Sequence, residues 1–289
     1  MIKSSELIIN ADGSIFHLHL KPEQIADNII LVGDPGRVEL IGKLLTDIEC
    51  QVQNREFVST TGKYNNQRIT IVSTGIGTDN IDIVVNELDA LANIDFVTRE
   101  IKPVHRKLNF VRIGTSGGLQ DFLSVNSFVV SEKAIGFDGL LNFYANRDQV
   151  SDLAFEEAFC THTNWGRQLT SPYVVDCSEV LFKKIHHTET IAGVTISAPG
   201  FYGPQGRVLR LPLANPNLNE LIESFEFEGH KITNFEMECS AIYGLSKLLG
   251  HEALTVCLII ANRISKEANA NYHQSIESLI KLVLDRLTS

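Results

Sequence analysis

Two glycine-rich segments carry arginines: Gly33-Asp34-Pro35-Gly36-Arg37 and Arg112-Ile113-Gly114-Thr115-Ser116-Gly117-Gly118. Each follows an apolar, β-branched run, Ile29-Ile30-Leu31-Val32 before the first and Leu108-Asn109-Phe110-Val111 before the second. A strand that runs into glycine lets backbone N–H groups approach an anion closely, because no Cβ stands in the way. Arginine adds a rigid fork of donors that matches phosphate geometry. One such segment is a common Gly-Pro turn, and Arg37 alone reads equally well as a surface turn residue. Two arginine-bearing segments together point to phosphate as a reactant.

Two further groups of residues could do chemistry. Phe201-Tyr202-Gly203-Pro204-Gln205-Gly206-Arg207 offers an aromatic face, an amide and a guanidinium within a short span. Such a set can stack on a planar ring and hydrogen-bond its carbonyl and N–H edges; Phe201 as a plain core residue is the alternative. In Asn234-Phe235-Glu236-Met237-Glu238-Cys239-Ser240-Ala241, the two carboxylates open a run that is otherwise apolar. A carboxylate there can accept two hydrogen bonds from a sugar diol, although Glu236 also suits a helix N-terminus on dipole grounds alone. His17 with His19, His186 with His187, and Cys160 with His162 lack further ligands at useful spacing, so no metal site is expected.

The elements that must position these residues alternate. Strands are expected at Asn28–Val32, Arg68–Ser73, Leu108–Ile113, Ser127–Val130, Val194–Ser197 and Ala253–Ala261. A helix is expected from about Asp79 to Leu91, where Ile81, Val84, Val85 and Leu88 fall at helical spacing and Asp79 can cap. Others are expected at Asn215–Phe225, with Asn215 capping before Pro216, at Glu236–Leu249, and at Tyr272–Leu287. Phe16-His17-Leu18-His19-Leu20 alternates like a strand, and segment 136–176 reads as a long excursion over the surface. Alternation of this kind predicts a mostly parallel or mixed sheet with helices on both faces, and a site at the C-terminal ends of its strands.

Composition narrows the function. The chain has 289 residues, 44% hydrophobic, enough for a sizeable core, and no Pro/Ser/Gly-rich linker divides it. Its 25 basic and 35 acidic residues give a net charge of −10, which argues against a nucleic-acid or anionic-membrane surface. No run reaches the roughly 18 apolar residues that span a bilayer, and Met1–Glu6 begins no signal-peptide apolar region. Five scattered cysteines, an odd number, suit a reduced, cytoplasmic compartment.

Taken in order, Gly-Asp-Pro-Gly-Arg, Ser-Thr-Gly-Ile-Gly, Arg-Ile-Gly-Thr-Ser-Gly-Gly, Phe-Tyr-x-x-Gln-x-Arg, Glu-Met-Glu and Asn262-Arg263 resemble the motifs of nucleoside phosphorylases of the uridine phosphorylase type. The resemblance runs from Phe16 to about Arg263. It implies one α/β domain over residues 1–289, with a mixed central β-sheet, partly barrel-like, flanked by helices. It implies phosphorolysis of uridine to uracil and ribose 1-phosphate; a purine or broad-specificity phosphorylase is the alternative, and a non-catalytic nucleoside-binding protein a more remote one. Phosphate would meet Gly33, Arg37, Arg112 and Thr115, with Arg55 reaching in from a neighbouring subunit. Ribose would meet Met237 and Glu238, with His17 crossing the interface to the 5′-hydroxyl. The base would meet Phe201, Gln205 and Arg207, supported by Arg263. Arg37, Arg112 and Glu238 would carry the catalytic charges. Inorganic phosphate would be a co-substrate, no cofactor would be needed, and the protein would be a homo-oligomer. One departure stands out: where relatives often read Gly-Pro-Ser after Gly-Ile-Gly, this chain has Thr78-Asp79-Asn80. The serine of some relatives helps form a monovalent-cation site with the glutamate matching Glu56, and Asn80 puts that site in doubt.

Overall fold

A computed structural model describes residues 1–289. In chain order its elements are β1 (Asn28–Val32), α1 (Pro35–Gly42), β2 (Thr46–Asn54), β3 (Phe57–Tyr64), β4 (Gln67–Ser73), α2 (Thr78–Asn93), β5 (Ile94–Asp95), β6 (Glu100–Ile101), β7 (Asn109–Gly118), β8 (Phe128–Gly136), α3 (Leu153–Thr163), β9 (Tyr173–Asp176), α4 (Glu179–Ile185), β10 (Thr190–Ser197), α5 (Leu218–Ser224), β11 (Glu226–Phe227), β12 (His230–Glu236), α6 (Cys239–Leu249), β13 (Glu252–Asn262) and α7 (His273–Leu287).

All strands except the small β5–β6 pair join one mixed sheet in the order β11-β12-β10-β8-β13-β7-β1-β4-β3-β2, with β9 alongside β8. β7 also pairs with β12, through Phe235 opposite Gly117 and Asn234 opposite Gly118. That contact closes β12, β10, β8, β13 and β7 into a ring, and β1 to β4 extend from it as an open wing. The expected mixed, partly barrel-like sheet is therefore present. Parallel strands buried on both faces require unbroken apolar runs. Ile29, Ile30, Leu31 and Val32 meet that requirement, with none of their surface exposed.

Helices cover the sheet according to their apolar stripes. On one side α2 presents Ile81, Val84, Val85 and Leu88 beside Ile242 and Leu245 of α6. On the other, α7 presents Ile276, Leu279, Ile280 and Val283 to the sheet beside α4, in the same cluster as Val38 and Ile41 of α1. Each such side chain contributes about 1.5–3 kcal/mol on burial. α1 starts as Asp-Pro-Gly dictates: the Asp34 carboxylate accepts the Gly36 N–H at 2.9 Å, and Pro35 supplies a preset φ at the first turn.

Several expectations differ from the structure. Segment 136–176 is no surface excursion: it holds α3 and β9, with Phe155, Phe159 and Val174 fully buried in one cluster with β10 and β12, and Tyr173 fully buried in the cluster that includes α6. Its aromatics form the core under the end of the ring. Residues 16–20 form turns rather than a strand, and His19 has a φ of +52°. Hydrogen bonds from side chains elsewhere set that path, which local alternation cannot reveal. Glu236 ends β12 instead of opening a helix, and Glu238 precedes α6. Gly77, not Asp79, stands at the start of α2. Asn215 lies before α5, where its Oδ1 accepts the Asn217 N–H and caps no helix. The hairpin β2–β3 and strand β12 are not signalled by the sequence, because β2 is mostly solvent-facing and polar and β12 mixes His230, Lys231, Thr233 and Asn234 among its apolar residues.

Candidate active site

Strands β1, β4, β7, β10, β12 and β13 end around one cavity of about 750 Å³. Gly33, Asp34, Pro35 and Arg37 line it from the start of α1, Gly75 and Ile76 from the turn after β4, and Arg112, Thr115, Ser116 and Gly117 from β7. Phe201, Gln205 and Arg207 follow β10, Glu236, Met237 and Glu238 follow β12, and Ile260 and Ala261 end β13.

The second arginine segment does not work as expected. Residues 112–118 stay in the sheet, in register with Thr255 to Asn262 of β13. Their glycines clear space rather than form an N–H cradle. A Cβ on Gly114 would lie 2.0 Å from Nη1 of Arg112, because side chains two apart on a strand share a face and the guanidinium passes over that backbone. Only glycine leaves the arginine room.

Arg112 is buried between two carboxylates. Its Nη2 donates to Glu238, and its Nη1 lies 3.3 Å from Oε2 of Glu236. Burial alone would weaken the guanidinium's hold on its proton, but the charges of Glu238 and Glu236 outweigh it and keep the group above the usual arginine range. Glu236 is a scaffold for this arrangement. It accepts Ser197 Oγ at 2.5 Å and the N–H groups of Glu238 and Cys239 at 2.9 and 3.0 Å. Burial and the neighbouring Glu238 push its carboxyl up to about 7 against the pull of Arg112. Oε1 of Glu238 accepts the Gly77 N–H at 2.8 Å. That N–H is aimed by a φ of +100°, which glycine adopts freely. Nε of Arg112 and Oγ of Ser116 are buried with no partner in the chain.

Arg37 donates from Nη1 to the Ile113 carbonyl at 3.1 Å, which brings it beside Arg112; burial and that second cation lower its proton affinity. Two neighbouring guanidiniums in a confined space form a site for a dianion. Five residues further along β7, a Cβ on Gly117 would come within 4.0 Å of Arg207 Nη2. Arg207 lies over the Phe201 ring at 3.7 Å and donates to Oε1 of Gln205 and to the Phe201 carbonyl, both at 2.6 Å. Arg263 donates to the Gln205 carbonyl from behind and carries its own cation over Phe235 at 5.0 Å. Burial brings its pKa down to about 10. This end of the cavity is an amide and two guanidiniums beside an aromatic ring, and no carboxylate lines it from residues 201–207 or from the end of β13.

The cavity thus gathers Gly33, Arg37, Arg112, Thr115, Met237, Glu238, Phe201, Gln205 and Arg207, with Arg263 directly behind it. His17 and Arg55 lie elsewhere. They meet at the tip of the β2–β3 hairpin, where Asn54 donates to the His17 carbonyl at 2.7 Å and Arg55 lies over the Phe16 ring at 5.8 Å. Sequence reading missed Gly77 as a donor, Glu236 as the support of Arg112, and Tyr272, which lines the arginine end. The i, i+2 spacing of Glu236 and Glu238 was a usable signal for one of them; Tyr272 follows an irregular polar stretch that carries none.

Asp89, His105 and His251 also come together, away from the cavity. Nδ1 of His251 accepts the Leu108 N–H at 3.2 Å, so its hydrogen sits on Nε2 and donates to Asp89 at 3.1 Å. The trio is a hydrogen-bonded tie between α2, α6 and β13, with no lone pair on His251 turned toward an ion.

The fold and the cavity together describe an α/β protein whose cavity is lined by a pair of guanidiniums, by carboxylates beside one of them, and by an amide and a further guanidinium beside an aromatic ring. The chain belongs to the phosphorylase superfamily, whose sequence model matches residues 27–288. It is 28% identical over 272 residues to a uridine phosphorylase of Thermococcus kodakarensis, covering 91% of this chain and 83% of that one. It is 26% identical to a DeoD-type purine nucleoside phosphorylase of Colwellia psychrerythraea, covering 93% and 98%. Its structure superposes with a TM-score of 0.88 on a Trypanosoma brucei nucleoside phosphorylase described as showing uridine phosphorylase activity, at 29% identity over 97% of this chain and 99% of that one.

Proposed function

We propose that this protein is a pentosyltransferase that catalyses the reversible phosphorolysis of uridine to uracil and ribose 1-phosphate. The observation that carries the reading is the order of groups along β7: Arg37 and Arg112 at one end, Glu238 against Arg112, and Gln205 with Arg207 at the other. Cleaving the N-glycosidic bond puts positive charge on the ribose and negative charge on the departing base. The protein's task is therefore positioning and electrostatic stabilisation, with no covalent intermediate. In this reading Gly33, Arg37, Arg112 and Thr115 hold phosphate beneath C1′. Met237 and Glu238 hold the ribose, with Glu238 on the 2′- and 3′-hydroxyls. Phe201 packs on the base, and Gln205 and Arg207 donate to uracil oxygens that gain charge as the bond breaks, with Arg263 bracing Gln205.

Arg55 and His17 complete the site from a neighbouring subunit, Arg55 on phosphate and His17 on the ribose 5′-hydroxyl. Their placement outside the cavity of their own chain, where the turn carrying His17 meets the hairpin tip carrying Arg55, supports that reading, which makes the enzyme a homo-oligomer. In this reading the enzyme serves nucleoside salvage and catabolism in the cytoplasm, where five free cysteines would stay reduced. No resident cofactor enters the mechanism. Assay of a nucleoside panel with and without inorganic phosphate tests the proposal. Phosphate-dependent release of uracil from uridine supports it; hydrolysis without phosphate, or release of purine bases only, overturns it.

A further inference from the structure

Glu87, on α2, does not line the cavity, yet its carboxylate is spent on one short stretch of chain. Oε1 accepts the His17 N–H at 3.0 Å, and Oε2 accepts the Leu18 N–H at 2.8 Å. Oε1 also lies 2.6 Å from Nδ1 of the His17 ring. A carboxylate only accepts, so this bond requires the ring hydrogen on Nδ1. The lone pair of the neutral ring then sits on Nε2, which has no partner within the chain. Asn54 ties the same turn from the opposite side through the His17 carbonyl. The ring is thus fixed in rotation and in tautomer while a quarter of its side chain stays exposed.

We infer that Glu87 is a positioning residue for the reaction: it holds Nδ1–H of His17 so that Nε2 faces outward as an acceptor for the ribose 5′-hydroxyl in the neighbouring subunit's cavity. This rests on the proposed role of His17 and adds the group that makes that role possible. A second-layer acceptor that fixes a histidine's tautomer and direction is a general device where one ring nitrogen must bind. A purely structural carboxylate would need only the two backbone N–H groups; the third bond, to the ring, is what a staple of the turn does not require.

The test compares kcat/KM for uridine and for 5′-deoxyuridine, which lacks the hydroxyl, in the wild type and in His17→Ala, Glu87→Gln and Glu87→Ala. Glu87→Gln keeps an oxygen for the backbone N–H groups but turns an N–H toward Nδ1, so the turn is retained while the ring's hydrogen is driven to Nε2, which then no longer accepts. The preference for uridine over the deoxy substrate should shrink in Glu87→Gln by about threefold to tenfold, the range for one hydrogen bond. Adding Glu87→Gln to His17→Ala should shrink it no further. A merely structural role would lower both substrates alike and leave the ratio at its wild-type value. If His17→Ala narrows the ratio and both Glu87 variants keep it, the positioning role is overturned while that of His17 stands. If His17→Ala itself keeps the ratio, the ribose role of His17 fails and this inference with it. Should Glu87→Ala not fold, Glu87→Gln alone decides.

Discussion

Arg112 and Glu238 pair with each other inside the cavity, the guanidinium donating directly to the carboxylate. The group proposed for phosphate and the group proposed for the sugar are thus one electrostatic unit before any reactant arrives. Glu238 also accepts the N–H of Gly77, where α2 begins, and Glu87 stands ten residues further along, about 15 Å at the helical rise. A single helix therefore touches both the carboxylate proposed for the sugar and the histidine proposed for a neighbouring subunit's cavity.

Arg112→Ala removes the phosphate fork and leaves two buried carboxylates without a counter-charge. Loss of a preorganised charge at the reacting group should cost about 2 kcal/mol or more in kcat/KM. Breaking a buried pair also destabilises, by about 3–5 kcal/mol where the remaining charge stays dry. Steady-state kinetics alongside a thermal melt separates the two effects, and near-wild-type phosphorolysis would remove Arg112 from the mechanism.

Gly114→Ala tests the same arginine without touching it. The new methyl would sit where Nη1 now lies. The guanidinium must move, because the neighbouring backbone is held by β13. The expected result is a raised KM for phosphate and reduced kcat in a protein that still folds. Unchanged phosphate kinetics would mean that Arg112 is free to act from another position.

Much of this site was legible in the sequence, and the rest was not for identifiable reasons. Arg37 and Gly33 were readable because an apolar strand followed by Asp-Pro-Gly specifies its own turn and cap. Arg112 was found, but the reason for its glycines was misjudged: Gly114 serves a side chain two residues away on the same face, a relation that emerges only once the strand is known to continue. Gln205 was expected to offer the base both an acceptor and a donor. In the structure its oxygen is already taken by Arg207, and the amide hydrogens remain for the base. Phe155 and Phe159 looked like surface because the segment around them lacks a clean period; their partners, Phe225 and Phe227, come from more than sixty positions later in the chain.

Glu236 should make stability depend on pH. Its carboxyl is pushed up to about 7 by burial, against an ordinary value of 4.5, so between those pH values the folded chain holds a proton that the unfolded chain has lost. Its contribution is therefore full below about pH 4.5 and declines as the pH rises to about 7. Urea denaturation at pH 5 and pH 8 should show this decline in the wild type and a smaller one in Glu236→Gln. Equal slopes in the two proteins would show that the group is ionised throughout.

Arg55 and His17 predict complementation between subunits. Arg55→Ala and Arg112→Ala should each be strongly impaired alone. A mixed oligomer contains cavities with an intact Arg112 and a neighbour with an intact Arg55, so co-refolding the two should restore part of the activity. Light scattering supplies the independent measurement: an active monomer would overturn the shared site.

The base should be a pyrimidine with two carbonyls. Gln205 and Arg207 both line the cavity, and with Gln205 Oε1 engaged by Arg207 their remaining groups are donors, from which uracil oxygens can accept. Cytidine replaces one of those oxygens with an amine, which would set donor against donor. Inosine and adenosine need a proton delivered to the ring, and neither residues 201–207 nor the end of β13 bring a carboxylate to the cavity; Arg263 braces Gln205 there instead. A site that desolvates polar groups for one partner rejects a ring that leaves them unpaired, often by orders of magnitude. Uridine should therefore exceed cytidine, inosine and adenosine in kcat/KM. Gln205→Ala and Arg207→Ala should each lower uridine turnover while the KM for phosphate changes little, because the phosphate end lies five residues away along β7. Inosine phosphorolysis at the rate of uridine would show that these donors do not select the base.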